Sequence, residues 1–360
     1  MELRVEKLVT GCKGLVRGPE GKVMFLQGVL PGELVRLDPS GAFSILEPSP
    51  LRRPPICPYY GRCGGCDFQI TGEAESARLK EAIVKENLMR LGKVKELPPF
   101  LPPAYGPAEG YRHRARFHVK DGAAGFLQAG SKELVALERC PLLSPGLNAL
   151  LRRPERLCEE AKKRGKAEVP SFEGDEEVSL NASPVTVTVM GISYQVSAEV
   201  FFQSNPGLLP ELLSFVRDNA IGPVIMDLYS GVGTFSALFS SEVYAVERDK
   251  ACLRLSRLNA PGARSFTSDV ALWAKRKSLV PDTVIVDPPR TGLSDRALRL
   301  ISSWNSPRII YVSCDSATGA RDIGRFSDYS ITKARVFDFY PGSSHEESAF
   351  VLDHKLFRPV

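Results

Sequence analysis

At 360 residues, with 43% hydrophobic and 25% charged side chains, the chain has an ordinary globular composition and length for about two or three domains. No uninterrupted apolar stretch reaches spanning length, and the opening "MELRVEKLVTGCKG" alternates charged with apolar residues where a signal peptide would be apolar, which points to the cytoplasm. A net charge of +5 permits an anionic partner without demanding one, and eight cysteines in a reducing compartment argue for free thiols or metal ligands over disulfides.

The first fifty residues alternate apolar and polar positions between the turn signals "GPEG", "PG" and "PSG", the pattern of a small antiparallel barrel of the OB type. After the proline-rich break "PSPLRRPPICP" come Cys57, Cys63 and Cys66, spaced C-x5-C-x2-C among glycines. Three thiolates this close can wrap a metal. Cys140 in "ERCPLL" is the choice for a fourth ligand, and zinc and an iron–sulfur cluster both suit such a set. Residues 73 to 91 carry helical periodicity through Ala77, Ile83, Val84, Leu88 and Leu91, ending at Gly92, and the linker "LPPFLPPAYGP" follows. Residues 111 to 200 read as strand-rich, with "SPVTVTVMGISYQVSAEVFFQ" hairpin-like and "RRPERLCEEAKKRGK" a surface helix. Within "YRHRARFHVK", Arg112, Arg114 and Arg116 share one face of a strand, with Lys120 beyond, an arrangement suited either to phosphate contacts or to a solvated basic face.

From about residue 205 the rhythm becomes α/β. "VIMDLYSG", "EVYAVERD", "TVIVDPPR" and "RIIYVSCD" are short, continuous apolar runs, as parallel strands buried on both faces require, and each stops in polar or glycine residues. Such doubly wound sheets bind ligands at the carboxyl ends of their strands. Gly231 and Gly233 in "DLYSGVGTF" allow close backbone approach to a ligand, Glu247 stands where an acid holds ribose hydroxyls, and Asp269 where one meets an adenine edge. With no Walker lysine after the loop, a nucleoside without phosphates fits best, and S-adenosylmethionine is the common one. Asp287 opens "DPPR", in which Arg290 replaces the aromatic of the amino-group methyltransferases' Asp-Pro-Pro motif. Cys314 ends the next run ahead of "SATGARDI", whose helical amides would favour a thiolate while Asp315 would oppose it. His345, Glu346 and Glu347 precede a final strand, and an acid there is a candidate base.

"FFQSNPG", "DLYSGVGTF", "VDPPRTGLS", "YVSCDSATGARD" and "SSHEESAFVL" occur in the order seen in the RNA uracil-5-methyltransferases, which the whole chain resembles. The resemblance implies an α/β, Rossmann-like S-adenosylmethionine-dependent catalytic domain (71–102 and 201–360), an N-terminal OB-like TRAM barrel (1–50), and a small strand-rich iron–sulfur domain (51–70 and 103–200). It implies Cys314 as the nucleophile that adds to uracil C6, Glu347 as the base that removes the C5 proton, and Gln203, Tyr229, Glu247 and Asp287 at cofactor positions. It favours a [4Fe-4S] cluster on Cys57, Cys63, Cys66 and Cys140, and RNA on the basic strand. The expected partner is RNA, 23S ribosomal RNA before the tRNA T-loop, with no membrane or obligate protein partner. A noncatalytic RNA-binding iron–sulfur protein is the rival from another class. The family's asparagine and proline after the nucleophile are Asp315 and Ser316 here, and Ser230 and Thr234 replace common residues of the cofactor loop.

Overall fold

The structure, a computed structural model, describes residues 1–273 and 279–357. Alternation in the first fifty residues produces strands Glu2–Val9, Lys13–Arg17, Val23–Leu26, Leu34–Leu37 and Phe43–Glu47. They pair antiparallel in one sheet, with the third and fifth strands at opposite edges. Every second side chain turns to one face, so Leu3, Val5, Val16, Leu26 and Val35 form a core of their own.

The periodic segment after the cysteines is a helix, Glu73–Arg90, and its apolar stripe of Ala77, Ile83, Val84 and Leu88 is buried. It packs on the helix Ser316–Ile323 and the strand Tyr329–Asp338, far along the chain. Lys80 Nζ lies 2.6 Å from Asp338 Oδ1 with both side chains fully buried, and Ser76 Oγ donates to Asp338 Oδ2 at 2.8 Å. A buried ammonium is tolerable only with such partners.

A second antiparallel sheet runs Val178–Ser179, Glu168–Glu173, Arg114–Lys120, Ala123–Leu127, Leu134–Ala136. Two helices cover it, Pro145–Arg152 and Glu155–Arg164, and Phe117, Leu147, Leu157 and Val169 fill the space between. The second is the surface helix expected from its charges; the first falls in a stretch read as strand-rich. The hairpin Val185–Val189 with Ile192–Val196 turns at Met190 and Gly191, both at positive φ. Its Tyr194 and Val196 enter the same core as Ile225 and Ile285 of the large sheet.

That sheet has eight strands, in the order Arg264–Thr267, Glu242–Glu247, Val224–Leu228, Thr283–Val286, Arg308–Ser313, Glu347–His354, Tyr329–Asp338, Ala104–Tyr105. The first five are parallel, and Glu347–His354 inserts antiparallel between its neighbours. Ile225, Ile285 and Ile310 face one core while Met226, Val284 and Ile309 face another, which is why these strands read as unbroken apolar runs. The strand order reverses between Val224–Leu228 and its neighbour Thr283–Val286, and the crevice outside their carboxyl ends is where such a sheet binds ligands. Among the described residues no helix is long and apolar enough to cross a membrane.

Candidate active site

The sheet order lines up the candidate residues along one edge: Asp269, Glu247, the Tyr229–Gly233 turn, Asp287, Cys314 and Glu347 follow or begin successive neighbouring strands. Tyr229 leaves its strand at φ 61, a left-handed conformation that costs a non-glycine residue energy and marks a constrained turn. Gly233 has φ 82, and a Cβ on it would stand 2.8 Å from Ser256 Oγ, so only glycine lets the turn lie against the helix Lys250–Asn259. Glu247 holds the turn from the side: its Oε2 accepts from Gly231 N at 3.0 Å and its Oε1 from Asp249 N at 2.7 Å. Asp269 is exposed and caps the short turn behind it through Ala271 N at 2.8 Å.

The register pairs Ser313 with Ser348, which sets Cys314 and Glu347 next in line across the two antiparallel strands. Burial pushes the half-buried Cys314 thiol up to about 12, with the charges of Glu347 and Asp287 adding to the rise and Arg290 opposing it. Burial likewise lifts Asp287 to about 7. Glu347, buried and faced by Asp287 and Glu346, is held well above the usual carboxylate range despite Arg290. Asp315 does what an N-cap asparagine would: its Oδ1 accepts from Thr318 N at 2.8 Å at the start of the helix Ser316–Ile323. Glu346, just before the last strand, accepts from Ser316 N at 3.1 Å, and Asn87 Nδ2 donates to Ser316 Oγ at 2.7 Å. Arg290 Nη2 lies 3.1 Å from His345 Nδ1.

Among the described residues, buried polar atoms without a protein partner along this edge and on the adjoining segment include Gln203 Oε1, Asp227 Oδ1, Ser230 Oγ, Glu346 Oε2, Glu347 Oε1 and Ser348 Oγ. A ligand with donors and acceptors of its own would satisfy such groups. Asp227 went unassigned in the sequence, although an acid inside the run "VIMDLYSG" is itself a signal. It is fully buried, accepts from Ser236 Oγ at 2.5 Å, and is raised to about 7 by burial and then by Asp287.

Residues 260–355 match the family described as tRNA (Uracil-5-)-methyltransferase. A 23S rRNA (uracil(1939)-C(5))-methyltransferase RlmD of Halomonas elongata is 28% identical over 98% of this chain and 89% of its own length. The crystal structure of Pyrococcus abyssi tRNA (uracil-54, C5)-methyltransferase with S-adenosyl-L-homocysteine superposes with a TM-score of 0.77 at 22% identity, covering 98% of this chain and 99% of that one. The two share the S-adenosylmethionine-dependent methyltransferase fold. An uncharacterized RNA methyltransferase of Treponema denticola is 30% identical over 96% of this chain and 97% of its own. The chain belongs to the RNA uracil-5-methyltransferase family.

Cys66 feels the charges of Cys140 and Cys63, and Cys57 acts on Cys63 and Cys140. Burial raises the thiols of Cys63, Cys66 and Cys140, Cys66 to about 12. Among the described residues, no three His, Cys, Asp or Glu side chains are grouped to hold a metal ion. The basic strand divides in two. Arg116 and Lys120 are exposed, Arg116 beside Glu168 at 3.3 Å, whereas Arg114 turns inward and donates to the carbonyls of Val200 and Ala198. Arg112 donates to Arg114 O at 3.0 Å and lies over the Phe126 ring, its charge felt by Cys63, Cys66 and Cys140.

Proposed function

We propose that the protein transfers the methyl group of S-adenosylmethionine to C5 of a uridine in RNA, and that Cys314 and Glu347 carry the chemistry. The observation behind this reading is the strand register that places a thiol opposite a buried carboxylate, at the end of a row of acids suited to a nucleoside. Uracil C5 is too weak a nucleophile to take a methyl group unaided. Addition of the Cys314 thiolate to C6 makes an enolate whose C5 attacks the methyl carbon. Glu347 then takes the C5 proton, the C5=C6 bond re-forms, and the thiolate leaves. The thiol at about 12 must lose its proton first, and Arg290 is the cation that favours this. Glu347, held well above the usual carboxylate range by burial and by Asp287, must be ionised to take the C5 proton, and Arg290 is the cation that favours that form.

Glu247 and Asp269 are the residues we assign to the ribose and adenine, Gly231 and Gly233 to close approach, and Tyr229, Asp287 and Gln203 to the reacting end, Gln203 and Asp287 near the base. The target uridine must be unpaired or flipped to reach Cys314. We read residues 1–50 as a TRAM barrel and 51–70 with 103–200 as the domain that meets RNA through Arg116 and Lys120, with Arg112 and Arg114 behind them. We assign a [4Fe-4S] cluster to Cys57, Cys63, Cys66 and Cys140 on the family resemblance, with zinc as the rival that such a thiolate set also suits. The cluster would brace this domain, and the reaction needs no redox step from it. We place the protein in the cytoplasm with its RNA, and favour 23S ribosomal RNA because relatives from three organisms act on it by name.

The test is incubation with 5-fluorouracil-substituted 23S rRNA and, separately, tRNA, in the presence of S-adenosylmethionine. A covalent protein–RNA band with the first and not the second is the expected result. A band with tRNA alone reverses the substrate, and no band with either ends the catalytic reading in favour of an RNA-binding protein.

A further inference from the structure

We propose that Asp67, the residue after Cys66, is a positioning residue for removal of the C5 proton. This rests on the assignment of Glu347 as the base. The chain from Phe339 to Glu346 connects the strand ending at Asp338 to the strand beginning at Glu347, and its path decides where the Glu347 carboxylate stands. At one end Asp338 is fixed by Lys80 and Ser76. The middle is held by the cysteine-bearing segment. Ser344 donates twice to Asp67, from its N to Oδ1 and from its Oγ to Oδ2, both at 2.6 Å. Phe68 N donates to Gly342 O at 3.0 Å. Gly342 has φ 84, and a Cβ there would lie 2.9 Å from Gln69 Cγ, so the two segments touch backbone to side chain. Gln69 Oε1 in turn accepts from Cys57 N at 3.2 Å, and Tyr111 OH donates to Pro341 O at 3.2 Å.

Two hydrogen bonds on one carboxylate, one to each oxygen, fix both its position and its angle. Asp67 thereby carries the placement of the cysteine segment into the connection that ends at Glu347. The remaining bond Asp67 makes, from Gln27 Nε2 to its carbonyl at 3.3 Å, points to the N-terminal sheet and away from Cys314. The same connection carries His345, which meets Arg290 at 3.1 Å, before it reaches Glu347, and of these two ends we assign Asp67 to the second and to the last step. The C5–H bond breaks, its electron pair re-forms the C5=C6 bond, the sulfur of Cys314 leaves as thiolate, and the proton passes to Glu347.

The experiment is a single-turnover reaction of Asp67→Ala, Asp67→Asn and Ser344→Ala with S-adenosylmethionine and unsubstituted transcript of whichever RNA the 5-fluorouracil assay selects. Methyl incorporation and covalent protein–RNA complex are followed separately, with bound iron and sulfide measured for each variant. Methyl transfer at the wild-type rate is expected, with release of RNA slowed roughly 10- to 100-fold in Asp67→Ala, so that the methylated covalent complex accumulates. Ser344→Ala, at the far side of the pair and away from the cysteines, shows a smaller defect of the same kind, and the double variant is no slower than Asp67→Ala. Release at the wild-type rate in Asp67→Ala, or equal slowing of methyl transfer and release, overturns the proposal. So does a defect that follows iron loss in the Asp67 variants and is missing from Ser344→Ala. If the wild-type protein forms no covalent band with either fluorinated RNA, the assignment of Cys314 and Glu347 falls instead.

Discussion

Cys314 and Cys66 sit in opposite halves of the sequence, and burial pushes both thiols up to about 12. Their company differs. Cys314 faces Glu347 and Asp287, with Arg290 as the opposing cation. Cys66 faces Cys140 and Cys63, with Gln69 and Arg112 beside it. A raised thiol is therefore no mark of chemistry in itself, because desolvation alone produces it. What matters is what can take the place of the proton. On the proposed reading, among other thiols that is a soft metal centre, whereas between a carboxylate and a guanidinium it is the electrophilic carbon of a substrate.

The widest separation between the two regions is expected from Cys314→Ala. Methylation falls at least about 10⁴-fold and no adduct forms with fluorinated RNA, while bound iron and sulfide stay at the wild-type level. Cys66→Ala should do the reverse, losing metal and lowering the melting temperature with adduct formation still detectable. If either variant shows the other's phenotype, the contrast collapses. Glu347→Gln comes next: turnover drops by about 10²- to 10⁴-fold while the covalent complex builds up on a denaturing gel. Asp227→Asn probes the cost of the acid cluster. The Asp227 pKa is about 7 folded against 3.8 ordinarily, so the folded state keeps the proton longer and stability falls as pH rises through that window. The variant should match the wild type at pH 3.5 and exceed it at pH 8 by at most about 4 kcal/mol in chemical denaturation. A variant less stable at pH 8 would refute the burial argument. The smallest effect belongs to Arg116→Ala, which should reduce the slope of log affinity against log salt by about 1 with kcat unchanged, measured by RNA binding over a salt series. Arg114→Ala should instead lower thermal stability, because it strips donors from two carbonyls.

The parallel strands were legible because burial on both faces leaves an unbroken apolar run, and the run's end locates the ligand-facing edge. Order along the chain brought Cys314 and Glu347 to the same edge, but only the antiparallel insertion of the last strand sets them face to face. The helix Pro145–Arg152 was overlooked, although Pro145 just inside its start and Leu147, Leu150 and Leu151 on one side are readable signals. Other features have no local signature. Arg114 and Arg116 share a strand face, and what turns one inward is the segment from Ala198 to Val200, distant in sequence. Asp67 and Ser344 meet across 277 positions, a pairing that no periodicity encodes.

The buried contact between Lys80 and Asp338 bears on how the molecule is made. A ribosome delivers Lys80 some 258 residues before its counter-charge. Until then the helix Glu73–Arg90 has an ammonium that cannot enter an apolar interior alone, so the nascent N-terminal half must keep this helix undocked or hydrated. Docking becomes favourable only when Asp338 is present to receive the ammonium. The pair thus couples docking of the helix Glu73–Arg90, through the face of Ala77, Val84 and Leu88, to formation of the distant strand Tyr329–Asp338.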